Sequence, residues 1–224
     1  MMSVTKTTCL VLLAMSVTAC GSDPEPDFST PESCYYDQAN DVYLVSNIDG
    51  APLAKDGNGF ILKVSPKTGA RSMWISGDQT GVTLHAPKGM GIAGDVLWVA
   101  DIDCLRKFDR NSGAPMGAVE IPGSTFVNDV SAGPDGNIYC TDTGLDESFA
   151  ATGTDAIWKV TPAGKAEVVA KGPELGQPNG LSAQAGGIYV VSWLDGSFYQ
   201  VDYRGVQTDL GKAPQNQLDG LVRA

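Results

Sequence analysis

The chain has 224 residues, and its 26 Asp and Glu against 15 Lys and Arg give a formal net charge of −11. Such an acidic chain repels phosphate backbones, and the sequence has no basic stripe with interleaved aromatic residues, so nucleic acid is not an expected partner. Its 27 glycines and 13 prolines separate short runs rich in Val, Ile, Tyr and Trp. This pattern is typical of an all-β fold rather than a helical one.

The first twenty residues have the pattern of an export signal. One lysine, Lys6, precedes an apolar run over residues 9–15, which is too short for a membrane-spanning helix. The ending Val17-Thr18-Ala19-Cys20 resembles the lipobox of bacterial lipoproteins, which implies lipidation of Cys20. An ordinary secretory signal cleaved nearby is the alternative. We expect an exported protein in the bacterial cell envelope, facing the periplasm or the surface, that contacts the membrane only through its lipid.

The acidic, proline-containing residues 21–30 then predict a flexible tether. After it, five short motifs recur with their middle residues 56, 40, 51 and 40 positions apart. A short apolar run, a turn and a second apolar run follow four of these motifs. Periods near forty residues with about four short strands each are the signature of a β-propeller, in which every unit is one blade around a channel. Residues 31–224 are therefore predicted to form a partial propeller with four complete blades and the first strand of a fifth, at residues 216–222.

The repeat also predicts which side chains meet. In a four-stranded antiparallel blade, the inner strand begins, and the second strand ends, on one face of the disc. The motif residues Glu32, Lys88, Asn128, Asn179 and Asp219 should therefore converge at one mouth. An outer ring should come from the second-strand ends, namely Asn47, Asp101, Asp142 and Trp193. The two insertions, at residues 49–59 and 144–155, should overhang the same mouth, where loops on a rigid scaffold often carry function.

Four of the motifs resemble the regucalcin and gluconolactonase family of six-bladed propellers. They are Pro31-Glu32-Ser33, Asn128-Asp129, Pro178-Asn179-Gly180 and Leu218-Asp219-Gly220. The resemblance implies that Glu32, Asn179 and Asp219 hold a divalent cation, calcium first, with magnesium or manganese as alternatives. It also implies that Asn128 contacts either the substrate or the metal-bound water. Relative to the family, the chain is expected to be truncated within its fifth blade, with an open sheet edge.

The residue types support a metal site independently. Two carboxylates and two amide carbonyls form an all-oxygen set, which favours a hard cation. In the alternative interpretation, the Asn-Asp, Asn-Gly and Asp-Gly pairs are turn dipeptides whose side chains cap the local backbone.

The predicted substrate contacts are Lys88, Asp101, Phe126, Asp142 and Trp193. By the resemblance, Phe126 stands where sugar-lactone enzymes carry an arginine, which implies a more apolar substrate. Lys88 either binds an anionic group or is a solvated rim lysine paired with Asp101. Asp101 and Asp142 are outer-ring groups or strand-end caps, and Trp193 lines the pocket or packs between blades.

His85 is the only histidine and is expected to be a surface imidazole, because the sequence contains no strained nucleophile elbow to complete a hydrolytic triad. Cys34 and Cys140 fall within predicted strands and are expected to be small buried apolar residues. Cys104 begins the third strand of its blade, and no functional thiol is expected.

Two functional hypotheses follow. The first is a metal-dependent hydrolase acting on a small molecule such as a lactone or related ester, with Asp219 as both a metal ligand and a proton acceptor. The second is a lipid-tethered binding or scaffold propeller whose cation is structural, since fold alone does not decide function.

Overall fold

A computed structural model describes residues 24–222 of the chain. The predicted signal at residues 1–20, including Cys20, lies outside the described residues. Within the described part, no helix has the length and apolar character needed to cross a bilayer.

The protein is an all-β propeller built from four antiparallel sheets of four strands each. Each sheet is one blade, and its strands are consecutive in the chain. Blade one contains β1 (Pro31–Asp37), β2 (Val42–Asn47), β3 (Phe60–Val64) and β4 (Arg71–Ser76). Blade two contains β5 (Pro87–Ala93), β6 (Val96–Asp101), β7 (Cys104–Asp109) and β8 (Pro115–Glu120). Blade three contains β9 (Val127–Ala132), β10 (Ile138–Asp142), β11 (Ala156–Val160) and β12 (Ala166–Lys171). Blade four contains β13 (Pro178–Gln184), β14 (Gly187–Ser192), β15 (Ser197–Val201) and β16 (Gln207–Lys212), and a 3₁₀ turn, Pro173–Leu175, precedes it.

The predicted blade order and strand positions are confirmed, with one difference after blade four. Residues 216–222, predicted to be the first strand of a fifth blade, form no strand. They are tied to blade four by the Gly180 N–H, which donates to Asp219 O at 3.0 Å, and by the Gln217 N–H, which donates to Trp193 O at 2.8 Å. Such isolated bonds are not the continuous ladder that defines a strand.

The core lies between neighbouring blades, where apolar faces of adjacent sheets pack on each other. One cluster joins blades one and two, a second joins blades two and three, and a third joins blades three and four. In the first cluster, Leu44 and Ile61 of blade one are fully buried with Leu97 of blade two. Arg110 of blade two also pairs with the buried Asp37 of blade one, and its hydrogen bond lowers the pKa of that carboxyl to about 2.

The two ends of the blade series are more exposed than the interior. On blade one, Tyr36 and Met73 are each 45% exposed, and every residue of β16 in blade four is exposed. Cys34 lies two residues before Tyr36 in β1, on the same face of the strand, and it is also exposed. The prediction that Cys34 is buried was therefore wrong, because the opposite face of β1, with Tyr35, is the one packed against blade two. Cys140 is buried, as expected, and Cys104 is also buried.

The segment before β1 lies against blade one. The Arg71 guanidinium of β4 pairs with Asp27 at 3.2 Å, and the Ser29 N–H donates to Asn47 Oδ1 at 3.0 Å. These contacts connect the described part of the predicted tether to both the outer strand and the second strand of the blade.

The same irregularity occurs at the start of every inner strand. In blade one, Pro31 pairs with Asn47 and Cys34 pairs with Val45, so two residues of β1 lie opposite one residue of β2. The corresponding bulges occupy positions 88–89, 128–129 and 179–180. A β-bulge bends its strand and changes the direction of the side chains it carries. Glu32, Lys88, Asn128 and Asn179 all lie at the first position of such a bulge.

Candidate functional site

A cavity of about 150 Å³ lies at the mouth where the inner strands begin. One part of its lining is polar and the other is apolar. The polar lining consists of Glu32, Lys88, Asn128, Thr143, Asn179 and Asp219. The apolar lining consists of Ile48, Pro52, Phe126, Leu145, Phe149 and Trp193. The five motif residues predicted to converge therefore share one cavity.

Blade three positions the Asn128 side chain and the backbone that carries Asn179. The Asn128 side-chain amide donates to Thr143 Oγ1 at 3.0 Å, which leaves Asn128 Oδ1 as the free acceptor. The Thr143 hydroxyl in turn donates to Pro178 O at 2.9 Å, and the Thr141 hydroxyl donates to Asn179 O at 2.7 Å. Asn128 and Asn179 are thereby fixed relative to each other by side chains at the end of β10.

Two glycines allow the inner strands to approach closely beneath the cavity. A Cβ atom on Gly89 would collide with Asp129, and one on Gly180 would collide with the backbone at Asp219 and Gly220. Glycine is therefore required after Lys88 and after Asn179 by the close packing of neighbouring chain segments.

Three carboxyl groups lie close together at this mouth, of which Glu32 and Asp219 line the cavity and Asp129 is adjacent to them. Burial raises the pKa of Glu32 to about 8, with Lys88 opposing this rise and Asp219 and Asp129 adding to it. Burial also raises the pKa of Asp219, against a hydrogen bond from Asn179 that lowers it. Burial raises the pKa of Asp129 to about 7, although the Leu181 and Val130 amides donate to its carboxylate. A positive charge placed among these groups would stabilise their ionised forms.

Lys88 lies on the other side of this charge cluster. It is only 1% exposed, and burial lowers its pKa to about 8. Its Nζ donates to Pro52 O and to Ala86 O, each at 2.9 Å, and it lies 4.8 Å from the centre of the Phe126 ring. The interpretation of Lys88 as a solvated rim lysine paired with Asp101 was therefore wrong.

Asp101 and Asp142 do not line the cavity, so their predicted substrate contact was wrong. Both are fully buried. Asp101 accepts from the Ala86 N–H at 2.8 Å and pairs with the Arg106 guanidinium at 2.8 Å. Asp142 accepts from the Phe126 N–H at 2.9 Å and from the Gly144 N–H at 3.1 Å. These carboxylates cap the segments that enter β5 and β9, and so position Lys88 and Asn128 without facing the cavity.

The apolar wall comes largely from the two insertions. Pro52 belongs to the insertion in blade one, and Leu145 and Phe149 belong to the insertion in blade three. The rings of Phe126 and Phe149 lie 6.4 Å apart in a tilted arrangement. The positions of the insertions predicted that they overhang the mouth, but the sequence analysis did not identify these individual residues. Trp193 completes the wall from blade four, so it lines the pocket.

His85 lies outside this lining. Its Nδ1 accepts the Gly57 N–H at 3.0 Å, and its own backbone N–H donates to Asp101. The imidazole therefore has a structural partner in the first insertion, away from the carboxylates of the cavity.

The donor chemistry fits a hard cation with few charged ligands. Among residues 24–222, no group of three or more His, Cys, Asp or Glu side chains is arranged to hold a metal ion. The cavity instead offers the carboxylates of Glu32 and Asp219 together with the amides of Asn128 and Asn179. An oxygen set of this kind suits calcium or magnesium better than zinc or copper. These four residues are the ones that would hold such an ion.

Comparisons with known proteins identify the fold. No protein-family model and no curated protein matches the chain. Among solved structures, a gluconolactonase from Xanthomonas campestris matches with a TM-score of 0.63 and 15% identity, over 88% of this chain and 67% of that one. A putative gluconolactonase matches with a TM-score of 0.63 and 19% identity, over 86% and 68% of the two chains. Virginiamycin B lyase from Staphylococcus aureus matches with a TM-score of 0.57 and 16% identity, over 85% and 58%. The chain thus spans just over half to about two thirds of the length of these structures, and it shares their β-propeller fold.

Proposed function

We propose that this protein is an exported, lipid-anchored hydrolase of apolar lactones or related esters that uses a divalent cation, with calcium as the first candidate. The observation that carries the proposal is the convergence of Glu32, Asn128, Asn179 and Asp219 on one cavity that has an apolar wall. The wall would hold the body of the substrate, and the polar side would face its carbonyl group.

Asp219 is assigned the role of proton acceptor. Its carboxyl group lines the cavity, and its partner there is the Asn179 side chain rather than a basic residue. An ionised Asp219 can accept a proton from the attacking water and pass it to the departing alkoxide. When bound, a hard cation would supply electrostatic polarisation of the carbonyl group. Asn128, whose Oδ1 remains free, would orient the substrate or the water.

The wall supports the choice of an apolar substrate. Phe126, Phe149 and Trp193 present ring surface, and Leu145 adds an aliphatic side chain. A sugar with several hydroxyl groups would lose hydrogen bonds to water on entering such a wall without recovering them. A lactone with a hydrocarbon substituent would lose none there.

The cellular location of the protein is part of the proposal, and it rests on residues 1–20. The sequence before Cys20 supports export, and its final four residues support lipidation of Cys20. Mass spectrometry of the exported protein is expected to find a diacylated N-terminal Cys20. A mature chain with an unmodified Cys20 would contradict the anchor while leaving the proposed reaction unaffected.

A second function, a binding or scaffold propeller with a structural cation, is favoured by one observation. Glu32 belongs to the first blade, whereas Asp219 follows the fourth blade. A cation held by both would join the two ends of the blade series, which is a structural task in itself. In this case the cation would raise the thermal stability without any turnover.

Turnover by matched variants separates the two functions. Asp219→Asn keeps the size of the side chain and is expected to abolish hydrolysis of apolar lactones in the presence of calcium, magnesium or manganese. His85→Ala is the control, because the imidazole lies outside the cavity, and it should retain nearly full activity. A chelator should remove both activity and some thermal stability. Loss of thermal stability alone, in a protein that turns over no lactone or ester with any of the three metals, would favour the scaffold function.

A further inference from the structure

Lys88 is a buried charge whose hydrogen-bond partners are all neutral. Its ammonium group has three N–H donors. Two of them are used by the carbonyl oxygens of Pro52 and Ala86. Within the described residues, no carboxylate lies within salt-bridge distance of Lys88 Nζ. Asp101, which one interpretation of the sequence paired with Lys88, forms its ion pair with Arg106 instead. A buried ammonium without a bonded counter-ion is costly unless something else supplies the negative charge.

Within residues 24–222, Lys88 is the one basic side chain in the lining of the cavity, which also contains the carboxyl groups of Glu32 and Asp219. Among the described residues, the hydrogen bonds of Lys88 Nζ go to the carbonyl oxygens of Pro52 and Ala86 and to no carboxylate. Its third N–H can therefore bond to an acceptor on a ligand in the cavity.

The size and the wall of the cavity define the rest of the ligand. Cavities near about 150 Å³ with apolar walls hold a molecule of the size of benzene. Here the volume is about 150 Å³, and Phe126, Phe149 and Trp193 contribute aromatic surface. The Phe126 ring lies beside Lys88 Nζ, so the charged group and the apolar wall adjoin each other.

We propose that Lys88 is the anion-recognition group of this cavity, and that the cavity binds small monocarboxylates with an apolar body. The third N–H of Lys88 donates to the carboxylate, and the aromatic wall holds the ring or alkyl part. This deepens the proposed function and rests on it for the origin of the ligand, since opening an apolar lactone produces a hydroxycarboxylate of this class. Lys88 then holds the ring-opened product, so the product competes with the substrate.

Binding of benzoate and of benzamide to the calcium-loaded protein, measured by isothermal titration calorimetry, tests this inference without turnover. The two probes have the same ring and nearly the same size, but only benzoate is charged. Wild-type protein is expected to bind benzoate at least about tenfold more tightly than benzamide, in line with the strength of charge-assisted hydrogen bonds. Lys88→Met should remove this preference by lowering benzoate affinity much more than benzamide affinity. Lys107→Met, a change at a lysine that lies over Trp98 outside the cavity, should bind as the wild type does.

Three results would overturn the inference. They are equal affinity of the wild type for both probes, undetectable benzoate binding, and full benzoate affinity in Lys88→Met, which would mean that the cation alone holds the carboxylate. The wild-type comparison does not depend on the folding of any variant. Benzoate binding that depends on Lys88, in a protein that hydrolyses no lactone, would support the inference and contradict the proposed reaction. Lactone hydrolysis without such binding would support the reaction and contradict the inference.

Discussion

Blades one to three and blade four differ in which residue accepts the backbone N–H of the segment that enters the inner strand. In the first three blades, the last residue of the second strand accepts a backbone N–H from the segment that enters the inner strand of the same blade. Asn47 accepts from Ser29, Asp101 from Ala86 and Asp142 from Phe126, at 3.0, 2.8 and 2.9 Å. At the same register position blade four carries Ser192, whose hydroxyl lies within hydrogen-bond distance of Gly176 O and Asp195 Oδ1 and accepts no N–H from the segment that enters β13.

Blade four obtains its cap from its neighbour. The Gln177 N–H, in the segment that enters β13, donates to Asp155 of blade three at 2.8 Å. The backbone of Trp193 still contacts this segment, since its N–H donates to Gln177 O at 3.0 Å. Because the neighbouring blade supplies the capping carboxylate, blade four carries Ser192 where the other blades carry Asn or Asp. Trp193 lies one residue further on, at the position that Ile48 and Thr143 hold in blades one and three, and all three side chains line the cavity. The strand ends therefore support the fold, whereas the residues directly after them contribute to the site.

The largest expected effect comes from removing a cap that also holds a cation. Asp101→Ala leaves the Arg106 guanidinium and the amides of His85 and Ala86 without their buried acceptor. Breaking a buried ion pair on one side typically costs about 3–5 kcal/mol. We expect a loss of this order in the free energy of unfolding, measured by urea titration.

Asp109→Ala is the matched control for this loss. Asp109 also accepts backbone N–H groups, from Asn111 and Ser112, but these bonds are exposed to solvent. Its removal should lower the free energy of unfolding much less than Asp101→Ala does, because water can replace the lost hydrogen bonds. Equal losses in the two variants would mean that the second-strand ends are ordinary turn residues, and the contrast with blade four would lose its basis.

The sequence predicted the repeat well because each blade must alternate apolar strands with turns. It also predicted that Glu32, Lys88, Asn128, Asn179 and Asp219 share a cavity, because equivalent positions in a radial array converge. The prediction that Trp193 belongs to one ring with Asp101 and Asp142 was wrong, because the register gives that position to Ser192 and puts Trp193 one residue later. The sequence does not show this offset, because the backbone N–H that needs an acceptor in blade four is bound by Asp155, 22 positions before Gln177.

The burial of Lys88 was beyond the sequence for a related reason. Its neighbours His85 and Gly89 suggest a polar loop, but a bulge at positions 88–89 changes the direction of the side chain. The acceptor Pro52 O lies 36 positions earlier, in the insertion of another blade. Neither the bulge nor this long-range contact leaves a periodic signal in the sequence.

A smaller effect, on binding rather than folding, is expected at Trp193, directly after β14 in blade four. Trp193→Ala removes an aromatic part of the cavity wall but no capping hydrogen bond, since its backbone makes the contacts to Gln177 and Gln217. Benzamide affinity should fall about fivefold, because contacts between two aromatic rings contribute on the order of 1 kcal/mol beyond area burial. The midpoint of urea unfolding should change much less than for Asp101→Ala. A large loss of stability with unchanged affinity would mean that Trp193 supports the fold, as Asp101 does in blade two, and not ligand binding.

The smallest expected effect concerns the polar cluster that blade four has beside Trp193. The Ser192 hydroxyl donates to Asp195 Oδ1 at 3.0 Å, and Lys212 Nζ pairs with Asp195 Oδ2 at 2.8 Å. Lys212, followed by Ser197, lowers the pKa of Asp195 below its usual value of 3.8. A carboxyl group with a lowered pKa in the folded state stabilises the protein above the usual value, and this contribution is lost as the pH falls towards the folded pKa. Because the pair is partly exposed, Asp195→Asn should cost less than about 1 kcal/mol at pH 7.

The difference in unfolding free energy between wild type and Asp195→Asn should shrink as the pH is lowered from 7 to 2, and high salt should shrink it at pH 7. Asp209→Asn, a change at an exposed carboxylate of β16 that accepts the Gly211 N–H, is the control for acid effects on the same blade. A difference that shrinks in acid but does not respond to salt would show that the hydrogen bonds to Ser192 and Ser197, rather than the ion pair with Lys212, carry the stabilisation. The end of β14 would then be held by neutral contacts, in contrast to the ion-paired Asp101 at the end of β6.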